Sequence, residues 1–160
     1  MYTVGDKVVH PMHGAGVIEE ITEERMRGVT RRYYVFVASL NRLTLKIPVG
    51  SGSTVGLRHP LTHAQLSKLL ASLSKVEEKL NENWNQRYRE YMERVKSGDP
   101  HEVGCVIKNL MHREARRGLS TVEHKLLGNA KQILLSEVML VEGVAYEEAE
   151  RILSSSVLAE

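Results

Sequence analysis

After Pro60, a capping side chain stands three residues ahead of Glu or Gln four times over: Thr62 and Gln65, Asn83 and Gln86, Asp99 and Glu102, Ser120 and Glu123. In each pair the first side chain can accept from the amide three residues on, while the second reaches back to the cap. Pro100 adds a first-turn proline, whose missing N–H costs nothing there. A fifth helix is predicted from about Tyr146 to Leu158. The breaks at Gly98-Asp99-Pro100 and Gly118 are short, so the helices must fold back on one another as a compact bundle. Val103, Ile107 and Leu110, then Leu126, Ala130, Ile133, Leu134 and Val141, supply apolar stripes at helical spacing.

Before Pro60 the pattern is different. Tyr33-Tyr34-Val35-Phe36-Val37 is aromatic and β-branched, and Thr44-Leu45-Lys46-Ile47 alternates polar with apolar. Strands are predicted at Asp6–His10, Gly16–Ile21, Arg32–Ser39 and Leu43–Pro48, with turns at His13–Gly16, Arg27-Gly28 and Gly50–Ser53. Short strands so spaced make a small, strongly bent antiparallel sheet or a barrel. The expectation is an α+β chain in two parts, a β-domain over residues 1–60 and an all-α bundle over residues 61–160.

With 160 residues and 42% hydrophobic content, the chain can bury a core in each part. No apolar run approaches the ~20 residues of a membrane span, and Asp6 and Lys7 interrupt the N-terminus where a signal peptide needs its apolar stretch. A lone Cys105 excludes an internal disulfide and a multi-thiolate metal site. These features predict a soluble, cytoplasmic protein with no membrane partner.

The net charge of +2 hides an uneven distribution. Residues 1–60 carry eight basic and five acidic side chains, residues 61–135 thirteen and nine, and residues 136–160 one and six. Lys108, His112 and Arg116 fall at i, i+4 and i+8, with Arg113 and Arg117 beside them, opposite the Val103/Ile107/Leu110 stripe. Arg87, Arg89, Arg94, Lys125 and Lys131 could extend that surface. Two readings stand: a solvated face near a helix C-terminus, or phosphate contacts along DNA.

Little else points to chemistry. His10 and His13, and His59 and His63, lie beside Pro11 and Pro60 with no thiolate nearby, and no HExxH or CxxC pattern exists. Gly14-Ala15-Gly16 lacks the Lys-Ser/Thr of a phosphate loop. Glu19/Glu20, Glu23/Glu24 and Glu77/Glu78 form no marked catalytic pair. No catalytic residue, metal or cofactor is expected, and the chain does not read as an enzyme. Trp84 is the exception. It opens a capped helix among Asn81, Glu82, Asn83, Asn85 and Gln86, outside any apolar stripe, and Arg87, Tyr88, Arg89 and Tyr91 follow within two turns. Such an indole either packs in a core or wedges against unstacked bases with guanidiniums on the adjoining phosphates. Tyr88 and Tyr91 fit a packing role.

The segments Val4–Gly16, Tyr33-Tyr34, Leu43–Pro48, Asn83–Arg89, Lys96–Asp99, Arg117–Ser120 and Ala130–Leu134, in this order, resemble the bacterial CarD/CdnL-type transcription regulators over nearly the whole chain. The opening segment is similar to the polymerase-interacting module of a transcription-repair coupling factor as well, and the Trp-containing helix with those after it narrows the resemblance. It implies a Tudor-like, five-stranded N-terminal module that binds the β subunit of RNA polymerase, through Lys46 on the Leu43–Pro48 strand with Arg25 and Arg42 as neighbours. It also implies a helical domain that contacts promoter DNA just upstream of the −10 element, with Trp84 as a wedge at the upstream edge of the bubble. Arg87 and Arg89 would then touch phosphates. His124 and Lys125 stand where family members are more strongly basic, and a neutral His124 weakens that second contact.

A sheet edge that extends a partner's sheet, and a tether that raises local concentration over DNA, make this reading physically coherent. DNA contact would be largely non-sequence-specific, because a wedge and phosphate contacts carry little base information. The partners expected are polymerase holoenzyme with its housekeeping sigma factor and promoter DNA, which would place the protein at the nucleoid. A monomer is expected, strand exchange between copies being the alternative. The competing function is a protein-interaction adaptor on polymerase with no direct DNA role. A sequence-specific DNA binder acting alone lacks a recognisable recognition helix.

Overall fold

The computed structural model describes residues 2–50, 56–76 and 83–158. The Ser51–Ser53 part of the expected turn, Glu77/Glu78, and Asn81 and Glu82 lie outside the described residues. Four strands, β1 (Lys7–His10), β2 (Gly14–Met26), β3 (Val29–Ala38) and β4 (Thr44–Pro48), pair antiparallel in the order β1-β2-β3-β4. Val8, Ile18, Tyr34, Phe36, Ala38, Ile47 and Leu57 form the core of this sheet. A bulge between Ile18 and Glu20 bends β2 and resets which of its side chains face inward.

Strands β2 and β3 run further than their apolar alternation predicts. Arg27 (φ 52°) and Gly28 (φ 78°) form a two-residue turn of the kind that matches strand twist, and the register it sets carries on through Met26–Val29, Glu24–Arg31 and Glu23–Arg32. Opposite charges cross the pair, with Arg32 Nε 3.7 Å from Glu23 Oε1. The fifth strand implied by the resemblance is reduced, among the described residues, to a bridge between Val9 and Arg58. Two backbone hydrogen bonds make it, Val9 N–H to Arg58 C=O at 2.8 Å and Arg58 N–H to Val9 C=O at 3.1 Å.

Five helices follow among the described residues: α1 (His63–Leu73), α2 (Trp84–Lys96), α3 (Pro100–Arg117), α4 (Thr121–Glu142) and α5 (Tyr146–Val157). Thr62 and Gln65 make the full reciprocal capping box. Asn83 accepts from the Gln86 amide. Asp99 accepts instead from His101, leaving Glu102 to pair with Arg94 at 3.4 Å. The expected apolar stripes meet in one core with Leu66, Leu73, Val95 and Leu153, Val141 lying at its margin.

Helix α4 also packs on β2, and this joint is polar. The Ser136 hydroxyl accepts from the Ala15 amide at 2.8 Å and donates to the Ile133 carbonyl at 2.7 Å. Gly14, at φ +78°, lies so close that an added Cβ would sit 2.4 Å from Ser136 Oγ. One residue on, Glu137 is wholly buried. It takes both guanidinium nitrogens of Arg58, at 2.6 and 2.8 Å, and the Leu61 amide at 2.8 Å.

His10 closes the same corner. Its Nδ1 accepts from the amides of Met12 at 3.0 Å and His13 at 3.3 Å, and its ring lies against those of His13 and Phe36. Burial, then the nearby His13, lowers its pKa from 6.5 to about 4. Below pH 6.5 the unfolded chain takes up a proton that the native ring refuses until about pH 4. Stability from this group is therefore complete above pH 6.5 and falls away between 6.5 and 4, by about 3 kcal/mol at 1.36 kcal/mol per pKa unit. Denaturant midpoints at pH 7 and 4.5 check this: His10→Asn, which keeps an acceptor that does not titrate, should lose less stability on acidification than the wild type.

Candidate functional site

The polar run ahead of α2 makes its N-terminus a surface feature, and Asn83 holds the first turn in place. Trp84 is the first residue of that turn, 43% exposed. Its ring stacks on Tyr88, with centroids 5.8 Å apart and planes 9° from parallel. The indole is thus outside the core but held at one face.

Arg87, one turn on, is buried at 3% exposure. Its Nη2 lies 3.4 Å from Glu123 Oε2 in the first turn of α4, and the same oxygen lies 3.4 Å from Nε of Arg113 near the end of α3. The expectation of Arg87 as an exposed phosphate contact is corrected accordingly. Its guanidinium finds a carboxylate 36 residues away and stays inside. Arg89, by contrast, is exposed, as are His124 and Lys125 on α4. His124 Nδ1 lies 3.8 Å from Glu114.

The cationic ladder on α3 is also corrected. Lys108 is 5% exposed and donates its ammonium to the Leu73 carbonyl at the end of α1. His112 is half-buried, with Nε2 3.1 Å from the Val157 carbonyl near the end of α5. Both groups meet helix C-terminal carbonyls, where positive charge is favoured. Lys131 pairs with Glu150 at 2.8 Å. Arg116 and Arg117 are the exposed cations of the last α3 turn.

On the sheet, β4 is the terminal strand of the order. Lys46 reaches diagonally over β3 to Glu24, whose hydrogen bond and charge raise the lysine pKa. Arg42 lies at the β3–β4 turn, 3.9 Å from Glu19. Arg25 falls on the opposite pleat from Glu24, near the hairpin tip, so Lys46 and Arg25 are not brought together. Met26 and Val29 are exposed at that tip, 69% and 55%, beside an open groove lined by Glu24, Arg27, Arg31 and Tyr33.

Cys105 is buried on α3 with Sγ 3.8 Å from His101 Nδ1, and burial pushes its thiol pKa up, the reverse of an activated nucleophile. Among the described residues no cluster of three His, Cys, Asp or Glu could hold a metal, and no helix is long and apolar enough to cross a membrane.

The family model described as "CarD, C-terminal domain" matches residues 68–154, and that described as "CarD-like/TRCF RID domain" matches residues 2–59. The chain belongs to the CarD family. A CarD-type relative described as "Putative transcription factor YdeB", from Bacillus subtilis (strain 168), is 30% identical over 148 residues, covering 92% of this chain and 97% of the relative. The CarD family is one of transcription factors, and this member is accordingly a transcription regulator built from a Tudor-like sheet and a helical bundle. Sequence reasoning missed two parts of its site region. Glu123 reads locally as the reciprocal partner of the Ser120 cap, and Glu137 as one more acid of an acidic tail. Each owes its role to an arginine distant in sequence.

Proposed function

We propose that residues 1–60 bind the β subunit of RNA polymerase holoenzyme, carrying the housekeeping sigma factor, along the β4 edge, with Lys46, Arg42 and Arg25 as side-chain contacts. Residues 61–160 then lie over promoter DNA just upstream of the −10 element. Trp84 wedges at the bubble edge, with Arg89, His124 and Lys125 on phosphates and Arg87 acting from within. The protein works without cofactor or catalysis, as a monomer, at the nucleoid in the cytoplasm. The observation that carries this reading is Trp84 itself, an indole left 43% exposed at a helix N-terminus, outside the core and free to meet a flat apolar partner. The family match over residues 2–59 supports a polymerase partner.

A wedge that prefers the opened junction shifts promoter equilibrium toward it, and ~1.4 kcal/mol of preference changes the open-to-closed ratio about tenfold. The test is open-complex lifetime on a promoter fragment with purified holoenzyme. Wild type should lengthen it. Trp84→Ala should abolish the effect with polymerase binding intact, and Lys46→Glu, which sets like charge against Glu24, should abolish it through weaker polymerase binding. A wild type that binds polymerase and changes no lifetime would leave the adaptor reading, which the burial of Arg87 and Lys108 favours by thinning the cationic surface.

A further inference from the structure

Glu123 stands at the third position of α4, after a Ser cap. There a glutamate ordinarily folds back onto the cap amide. This one turns its carboxylate inward instead. Oε1 takes the Ser120 hydroxyl at 3.1 Å, and Oε2 faces Arg87 and Arg113 at 3.4 Å each. Glu123 is 4% exposed, and its Oε2 has no hydrogen bond of good geometry. Tyr91, also 4% exposed, adds a hydroxyl without a partner beside the same charges. The cluster joins the first turn of α2, the last turns of α3 and the first turn of α4. It does so with less favourable contacts than Arg58 and Glu137 make at 2.6 and 2.8 Å. Two cations on one carboxylate, loosely coordinated, are a poor device for stability alone.

What the cluster does fix is how the first turn of α2, begun by the Asn83 cap, lies against α3 and α4. Arg87 lies three residues after Trp84, so the two share a side of the first turn, and Tyr88 supports the indole one residue further on. We propose that Glu123 is the positioning residue for Trp84: by anchoring Arg87 it sets the pose of the indole against the exposed His124, Lys125, Arg116 and Arg117. The functional consequence rests on the wedge reading above, whereas the pose itself does not. With the carboxylate neutralised, Arg87 loses the charge that holds it toward α4, and the first turn of α2, with Trp84 on it, is freed to shift.

Trp84 is the only tryptophan in the chain, so intrinsic fluorescence reports on this one position. The experiment compares wild type, Glu123→Gln, Arg87→Met and Trp84→Ala, full-length, by circular dichroism, emission maximum, acrylamide quenching and open-complex lifetime. Arg87→Met removes one of the two cations and leaves Glu123 still facing Arg113, so its folding is tested independently of Glu123→Gln. With helicity retained, Glu123→Gln and Arg87→Met should red-shift the emission and raise the quenching constant. Both should shorten the open complex about tenfold, the factor that ~1.4 kcal/mol represents, while binding polymerase as wild type does. Wild-type emission and quenching in both folded variants would overturn the proposal. So would a shifted indole with a full-length lifetime in a system where Trp84→Ala abolishes the effect. If Trp84→Ala leaves the lifetime untouched while the fluorescence shifts, the wedge reading fails and the positioning role of Glu123 stands.

Discussion

Glu137→Ala should lower stability by about 3 kcal/mol or more, the range for breaking a buried ion pair by removing one partner. The reasons are additive in kind. Arg58 would keep its guanidinium at the joint with its bidentate acceptor gone, and the Leu61 amide would lose the oxygen now 2.8 Å away. The Arg58 side chain is 24% exposed and can rehydrate in part, which holds the loss toward the lower end. Domain stability is commonly 5–15 kcal/mol, so such a loss is a large share of the whole. Urea unfolding followed by far-UV dichroism and by Trp84 fluorescence checks it. Glu137→Gln, which keeps an acceptor for Leu61, should lose less.

Gly14→Ala is the second large effect. The backbone at φ +78° disfavours any side chain, at roughly 1–2 kcal/mol for an L-residue in the left-handed region. The new methyl would also stand 2.4 Å from Ser136 Oγ and 3.1 Å from Ile133 Cα. Ser136 cannot step aside cheaply. It is 1% exposed and engaged in two hydrogen bonds, one of them to Ala15. A total loss of about 3 kcal/mol is expected, the clash adding an overpacking cost of ~1–3 kcal/mol to the backbone strain. A double-mutant cycle with Ser136→Ala separates the two. Alone, Ser136→Ala orphans the Ala15 amide and destabilises; in the Gly14→Ala background it relieves the clash, so its cost should shrink or reverse.

The sheet and the bundle were legible where a local rule decides the outcome. Alternation marked β4, and Thr62 with Gln65 announced the start of α1, because strand faces and caps depend on residues within a few positions. The far half of the β2–β3 hairpin escaped because Thr22–Met26 has no apolar alternation; the turn at Arg27-Gly28 sets its pairing instead. The arginine at 87 looked like surface because its neighbours are polar, and the carboxylate that meets it inside, Glu123, lies 36 residues away. The Lys108/His112/Arg116 spacing located one stripe of α3 correctly but not what the stripe faces. Every residue from Val103 to Leu110 is buried, so helical period there cannot separate inside from outside. Trp84 stayed open between core and surface, because its polar neighbours argue for exposure while an indole's own area argues for burial; the structure leaves it 43% exposed.

The joint between sheet and bundle has a geometric consequence. Bidentate Arg58–Glu137, Ser136 on Ala15, and a glycine with no room for a methyl give the two halves little freedom to pivot, so the span from the β4 edge to Trp84 works as the gap of a calliper. On the proposed reading, inserting one base pair moves the duplex by about 3.4 Å along its axis. A loose tether would absorb that step, whereas a fixed gauge would miss its mark.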